Sequence, residues 1–518
     1  MKTYTYRIHP GIGIARVGNS PEEYYLGPEA PGIAAAGPYK DNQGRVARQA
    51  VRFRVFRYTY DDGELSNVRE VTNTSKITIH WTVHLSNKKS AAAEFPPMNN
   101  ESRNRNVHSD ERNRLIIDAG NQAISGADQS KLLTGAFMNH AVQLGDLKTD
   151  EAGRLIALGG FGNAASVPPG RPLVHFANND SWHDDTSDGP VTAAVEVESG
   201  TDKGFHTADP AWLVVAPPGF VPGLQNMVTW YDRALEMAIA KDSSFEPDEV
   251  SFSKHIFPIL SRIVKLQWVD EFVASGHSAL RPEGNFLNAG LLEKLASNKS
   301  EHKEARERVL ERVRIVGDPN NFGDMPRFEN RGLDPDNPQA RVPPSLTNLQ
   351  IKLLKAWAIG KFKADFKVQT PPKPKPLNKI KSVDLPIALD RAALEDSIGE
   401  PFFPGIECGY IMARPETYDR PFRISRKLSA GDLTSGLAVP WQADFYECRS
   451  GFESTWWPAA RPNQIHRNNN TTPVSWVPDW FEKKPMVDNW WKLGFILKKE
   501  GDERYSEELR SDELDHIA

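Results

Sequence analysis

The sequence predicts a mixed, β-rich α+β fold, and three observations carry that prediction. Residues 51–60 (VRFRVFRYTY) and 76–85 (KITIHWTVHL) alternate apolar and polar side chains, the period of a strand with one buried face. Residues 347–360 (TNLQIKLLKAWAIG) switch to a helical period. The 39 prolines and 37 glycines are spread along the whole chain, which suits many short elements joined by turns better than a helical bundle.

Taken in order, residues 1–240 read as a β-rich N-terminal domain. The 51–60 strand runs into Asp61-Asp62-Gly63, a turn signal, and residues 153–162 and 211–216 add shorter apolar strands. Residues 241–370 read as mainly helical. Within them, residues 248–264 form a helix that Pro258 bends or splits. Residues 301–316 (EHKEARERVLERVRIV) make a charged helix with a narrow apolar stripe. Thr347 and Gln350 have capping-box spacing, and Gly360 suits a left-handed C-terminal cap. A Pro/Lys-rich connection follows at residues 371–384. Four prolines within residues 370–377 (TPPKPKPL) exclude helix and central strand, leaving an exposed, extended segment. Residues 385–518 form a loop-rich C-terminal region. It holds both cysteines and seven of the 13 tryptophans: Trp441, Trp456, Trp457, Trp476, Trp480, Trp490 and Trp491.

Composition narrows the function. A net charge of -5 gives no basic excess for nucleic acid, and no apolar run approaches the ~20 residues that span a bilayer. Residues 1–17 lack the apolar core of a secretory signal, and two cysteines fit a reducing cytoplasm. Two cysteines also exclude a disulfide framework and a four-thiolate zinc site. Neither a phosphate-binding Walker loop, nor a His-Glu-x-x-His helix, nor a Gly-x-Ser-x-Gly elbow occurs. Gly159-Gly160-Phe161-Gly162 lacks dinucleotide spacing, so no nucleotide cofactor is expected.

Two stretches are dense in chemistry. Residues 182–189 (WHDDTSDG) read as an Asx-rich turn, as the wall of a substrate pocket, or as a metal site. Calcium would need a fuller oxygen cage than this run supplies. A hydrolase using Asp184 and Asp185 as a pair is a weaker reading, because adjacent residues on a strand point to opposite faces. The second stretch is residues 440–448 (PWQADFYEC) with residues 453–462 (ESTWWPAARP). A lone thiol, Cys448, stands near Asp444 and Glu447. Their charges would raise its pKa, which argues against a thiolate nucleophile.

At these residues the chain resembles the LodA/GoxA group of quinoproteins, amino-acid oxidases that include lysine ε-oxidase and glycine oxidase. The resemblance also takes in Ile8-His9-Pro10, residues 13–20 (GIARVGNS), residues 84–89 (HLSNKK), residues 155–162, Asn178-Asn179-Asp180 and residues 184–191 (DDTSDGPV), in that order along the chain. It implies a cofactor made from the protein, cysteine tryptophylquinone, in which the Cys448 sulfur is cross-linked to the oxygenated indole of Trp456 or Trp457. It implies no metal, and it casts Asp444 as the residue needed for cofactor formation and as the catalytic base. Burial beside Trp441 and Phe445 would suit Asp444 to that work near neutral pH; fixing a backbone turn is its plainer role.

The implied reaction is oxidative deamination of a primary amine on a free amino acid or a peptide. The amine forms a Schiff base on the quinone, and dioxygen reoxidises the reduced ring, giving hydrogen peroxide and ammonia. The implied partners are a flavoprotein that matures the cofactor and, for some assemblies, a second copy of the chain; no nucleic acid or membrane is expected. Relatives that leave the cell without a visible signal keep export open. Trp182, His183, Arg461 and His466 are the weaker expectations for the substrate cavity: Arg461 to pair with a carboxylate, His466 to complete a proton relay. Cys408 is expected to stay a free buried thiol. About eight residues separate Cys448 from the tryptophan pair, a short connection for this group, and Gly451 permits a chain reversal between them. The contrasting reading is an unmodified scaffold that acts as a binding or structural partner.

Overall fold

The alternation at residues 51–60 becomes the strand Arg48–Asp61, which organises the N-terminal sheet. The computed structural model describes residues 2–92, 102–328, 344–399, 405–447, 458–467, 472–511 and 514. Arg48–Asp61 pairs with Lys2–His9, with Leu155–Gly159 and, through a turn, with Glu64–Val71. That turn is the Asp62-Gly63 step, with both residues at positive φ (49° and 91°), the geometry that matches the twist of a tight hairpin.

Among the described residues the sheet has thirteen strands. Its main path runs Ile117–Ser125, Ile77–Asn87, Ser187–Val197, Ala211–Ala216, Ile12–Arg16, Arg48–Asp61, Leu155–Gly159, His140–Thr149 and Ser130–Phe137. At its centre Ala211–Ala216 lies parallel to Ile12–Arg16, and every residue of both strands is buried. Period-two alternation explains how. Ile12, Ile14, Trp212 and Val214 pack into one core with Trp230, Leu394 and Met412. Ala15, Leu213 and Val215 pack into the other, with Phe53 and Trp81. The helices Trp230–Lys241 and Leu385–Glu395 contribute to the first of these cores.

The later helices follow their local signals. Residues 248–264 split into a π-helical turn, Phe252–Ile256, and the helix Phe257–Lys265. Pro258 sits in the first turn of that helix, where its missing N–H leaves no bond unmade. The charged helix is Lys303–Arg312, preceded by a 3-10 turn at Ser300–His302. It stops short of residue 316 because Val313 turns extended and bridges to Met325. Asn348–Ala358 carries the capping box its sequence announces, and Gly360 takes φ +83°. Residues 370–376 have no regular structure, and a 3-10 turn at Leu377–Lys379 leads toward Leu385–Glu395.

The C-terminal region departs from a purely loop-rich reading: among the described residues it carries the helices Leu385–Glu395 and Lys483–Asn489 and the short hairpin Phe495–Lys498 with Tyr505–Glu508. Residues 441–447 form a short helix, Trp441–Glu447, buried except at its last residue. Among the described residues, no helix is long and apolar enough to cross a membrane.

Candidate functional site

Asp444 lies on this helix and has no exposed surface. The helix begins just after the cis peptide Val439–Pro440. Its first N–H, on Trp441, donates to Oδ2 of Asp184 at 2.9 Å. The same oxygen accepts the Lys89 ammonium at 2.5 Å, and Lys89 also donates to the Ala438 carbonyl at 2.9 Å. Oδ1 of Asp184 accepts Asn87 Nδ2 and the Thr186 hydroxyl. A carboxylate at a helix N-terminus meets unpaired N–H groups and the positive end of the dipole. Here the carboxylate comes from the sheet domain rather than from the residue before the helix. The Lys89 and Asp184 side chains are 1% and 0% exposed, so each charge depends on the other. Burial pulls the Lys89 ammonium below its ordinary range, against the upward pull of Asp184.

A second attachment holds the helix from the side. Gln442 donates through Nε2 to the Gly162 carbonyl at 2.9 Å. Asp185 Oδ2 accepts the N–H of Asn163 at 3.0 Å. That carbonyl and that N–H belong to one peptide group, which Gln442 and Asp185 therefore grip from both sides. The glycine-rich run earlier set aside as a nucleotide loop has this structural reason. A Cβ on Gly160 would stand 2.6 Å from the Asp185 carboxyl, and one on Gly162, at φ +71°, would stand 2.3 Å from the Trp490 ring. Burial pushes the Asp185 carboxyl up to about 7, partly offset by the Asn163 N–H. Asp188 is likewise pushed up by burial, to about 6, although Thr434, Trp212 and Leu433 all donate to it.

Aromatic rings pack around the helix. Trp441 meets Phe445 at 5.4 Å and Trp490 at 5.5 Å, while Phe445 meets Phe220 at 5.9 Å and Trp476 at 5.8 Å. The far end of the helix is held by Arg461. Its Nε donates to the Phe445 carbonyl at 2.5 Å and its Nη2 to the Tyr446 carbonyl at 3.5 Å, with the guanidinium beside the Phe445 ring. A cation on the last carbonyls of a helix favours its negative end.

Cys448, Trp456 and Trp457 lie outside the described residues. Their flanks are described: the helix ends at Glu447, and the chain is described again from Pro458. Arg461 joins these flanks. Of the other expected residues, Trp182 and His183 are buried on the short strand Trp182–Asp184, directly before the carboxylate that anchors the helix. The His183 ring packs against Phe137 at 4.9 Å, and burial lowers its pKa. His466 packs edge-on to Trp268 at 5.7 Å in a cleft of about 470 Å³ that Glu271, Leu280, Arg504 and Tyr505 also line. Cys408 is a free, buried thiol, raised well above the ordinary range by burial and by Asp188 and Glu407 nearby.

The carboxylate-dense run 182–189 is buried throughout, and Asp184 and Asp188 accept bonds from the C-terminal region. The Asx-turn reading holds in part, since Thr186 N–H donates to Asp184 Oδ1 at 3.3 Å. Among the described residues no group of three or more His, Cys, Asp or Glu could hold a metal ion. Asp184 and Asp185 serve different attachments, the Trp441 N–H and the Asn163 N–H. Sequence reasoning gave Lys89, Asn87 and Gln442 no role. Lys89 follows Lys88 in a polar run, and nothing local distinguishes the buried lysine from its part-exposed neighbour.

Comparison with known proteins finds relatives over most of the chain. The L-lysine ε-oxidase N-terminal model matches residues 9–215, and the L-lysine ε-oxidase C-terminal domain model matches residues 319–476. The L-lysine 6-oxidase of Marinomonas mediterranea is 27% identical over 542 aligned residues, covering 85% of this chain and 70% of that protein. The structure of the ε-lysine oxidase from the same organism superposes with a TM-score of 0.78 at 23% identity, covering 98% of this chain and 95% of that one. The Schiff base intermediate of that organism's L-Lys ε-oxidase with L-Lys superposes with a TM-score of 0.77 at the same identity and coverage. At that identity the two structures speak for the fold.

Proposed function

Because the chain belongs to the L-lysine ε-oxidase family, and is an amine oxidase on that ground, we propose that it deaminates the side-chain amine of lysine, free or in a peptide, using cysteine tryptophylquinone built from Cys448 and Trp456 or Trp457. The observation that carries this reading is the Arg461 grip. It ties the arm that follows the tryptophan pair to the helix that leads into Cys448. The described residues suit such a group: an acid with no exposed surface stands four positions before the thiol, among packed rings.

When present, that quinone supplies an electrophilic carbonyl for the amine and an electron sink that dioxygen reoxidises, giving peroxide and ammonia. The chain's own residues do the rest. Asp444 takes the proton from the carbon bearing the amine, on one of its carboxylate oxygens. The shell of Trp441, Phe445, Phe220 and Trp476 limits bulk water there, which strengthens each charge interaction. Asp184, Lys89, Gln442 and Arg461 fix the helix, and with it the position from which Asp444 works. Trp457 is favoured over Trp456 because Pro458 restrains its backbone. A separate flavoprotein for maturation belongs to the same reading.

The test combines mass and turnover. Protein co-expressed with a maturing flavoprotein should gain two oxygen atoms and lose the cross-link hydrogens in intact mass. It should release peroxide with L-lysine and with lysine peptides, and not with glycine. Expression alone should leave the precursor mass. Peroxide-silent protein of mature mass would overturn the substrate reading, and active protein of precursor mass would overturn the cofactor reading.

A further inference from the structure

The Pro/Lys-rich connection is used by nothing described so far. Residues 361–381 hold seven lysines and one acidic residue, in a chain whose net charge is -5. The acidic residue, Asp365, is engaged inward by the Ser251 hydroxyl and the Ser253 N–H. All seven lysines are exposed, and among the described residues none has an ion-pair partner. Mutual repulsion on that scale favours an opposite charge nearby.

The segment is also shaped. Residues 371–376 are exposed and without regular structure, and Pro376 sits at φ −64°, ψ 153°, the polyproline II region. That helix has three residues per turn, so positions 371 and 374 share one edge, and the chain passes into the 3-10 turn at Leu377. This edge faces the body of the protein. A Cβ on Gly32 would stand 3.2 Å from Pro374, and Leu377 packs into the cluster of Phe56, Tyr58 and Leu389. Gly32 is itself held, its N–H donating to Glu395 at 3.1 Å. Upstream, Phe362 and Phe366 are anchored in the main core. With the apolar edge turned in, Lys373 and Lys375 occupy the two outward edges.

We propose that residues 361–381 form a preorganised basic strap that docks an acidic surface of a partner protein. A strap held in place at both ends, with residues 371–376 free of regular structure between a turn and the 3-10 turn Leu377–Lys379, loses less entropy on binding than a free tail. Residues 361–381 carry lysine and no arginine, so they present point ammonium charges rather than bidentate forks. No aromatic side chain is exposed on the strap to stack on a base. The lack of a stacking ring favours a carboxylate-bearing protein over a single-stranded nucleic acid, with duplex DNA and phospholipid surfaces as the competitors in the test.

Fluorescence anisotropy on the full chain tests this, with a labelled oligo-glutamate as probe. Wild type should bind in low salt. Lys373→Glu/Lys375→Glu should weaken binding at least tenfold, while Lys131→Glu/Lys203→Glu, of equal charge change on exposed sites elsewhere, should weaken it less than twofold. Peroxide release should be unchanged in both pairs, showing an intact fold. Pro371→Gly/Pro372→Gly should weaken binding several-fold through lost preorganisation. Equal losses in the two charge-reversal pairs, no binding by wild type, concentration-dependent self-association abolished by the strap pair, or tighter binding to duplex DNA or phosphatidylserine vesicles would each overturn the proposal.

Discussion

Two helices of this chain begin in opposite ways. Asn348–Ala358 carries its own cap: Thr347 Oγ1 accepts the Gln350 N–H at 3.1 Å, and Gln350 returns the bond to the Thr347 N–H at 2.9 Å. Trp441–Glu447 borrows its cap from Asp184, 257 positions earlier, and Asp184 in turn depends on Lys89. The capping box of the first helix closes within four residues, although the Asn348 N–H also donates to Glu236 and Gln350 Nε2 to the Met227 carbonyl. The second is specified by the sheet domain, so its stability and the position of Asp444 are properties of the whole fold. Variants on each side show how far the difference goes.

The largest effect belongs to Asp444→Ala, which should lower peroxide turnover at least 100-fold. Its intact mass should be that of the precursor, showing that maturation fails. A variant of mature mass turning over at the parent rate would detach Asp444 from the chemistry and leave the borrowed helix with a packing role only.

Lys89→Met comes next. It leaves the Asp184 carboxylate buried without its counter-charge, a change worth about 3–5 kcal/mol. Urea unfolding should show a lower midpoint, and turnover should fall with it because the helix loses its anchor. A loss no greater than that of the local cap would erase the contrast between the two helices.

Asp185→Asn separates the lateral grip from the charge. In the folded protein Asp185 keeps its proton up to about pH 7, against 3.8 when unfolded. Its contribution to stability is therefore complete below the lower value and is lost as pH rises through the upper one. Wild type should lose about 2–3 kcal/mol from this group between pH 5 and 7, and the asparagine variant should lose little. Melting curves at pH 5, 6, 7 and 8 measure the difference. Asp188 works in the same direction and keeps the variant's profile from being flat.

Thr347→Ala gives the smallest effect, about 1 kcal/mol, because it removes the bond from the Gln350 N–H to the Thr347 hydroxyl. Peroxide turnover should be unchanged. A large loss of activity would mean that the middle helices bear on the site.

The same contrast decides what could be read from the chain alone. Arg48–Asp61 and Ile77–Asn87 are legible because each strand writes its burial into alternate residues, and the Asp62-Gly63 turn announces itself. The Asn348–Ala358 cap is legible for the same reason of locality. The Trp441–Glu447 helix is not: seven residues nucleate no helix of their own, and its N-terminal partner is far away in sequence. Asp444, Cys448 and the tryptophan pair stand out through their motif. Lys89 and Gln442 are ordinary surface types until the fold buries them. Asp184 draws attention as a ligand-rich turn, yet its work is to hold a helix.

The bond from Asp184 to Trp441 also orders events in time. A chain is made from its N-terminus, and its leading part folds first. Lys89 and Asp184 are therefore waiting when Trp441 emerges, and the helix bearing Asp444 settles onto a surface already formed. A product cut off before residue 441 has the anchor but no acid; a fragment starting after residue 184 has the acid, the thiol and the indoles but no anchor. A chain that holds both segments has Asp444 buried on the helix that Asp184 anchors.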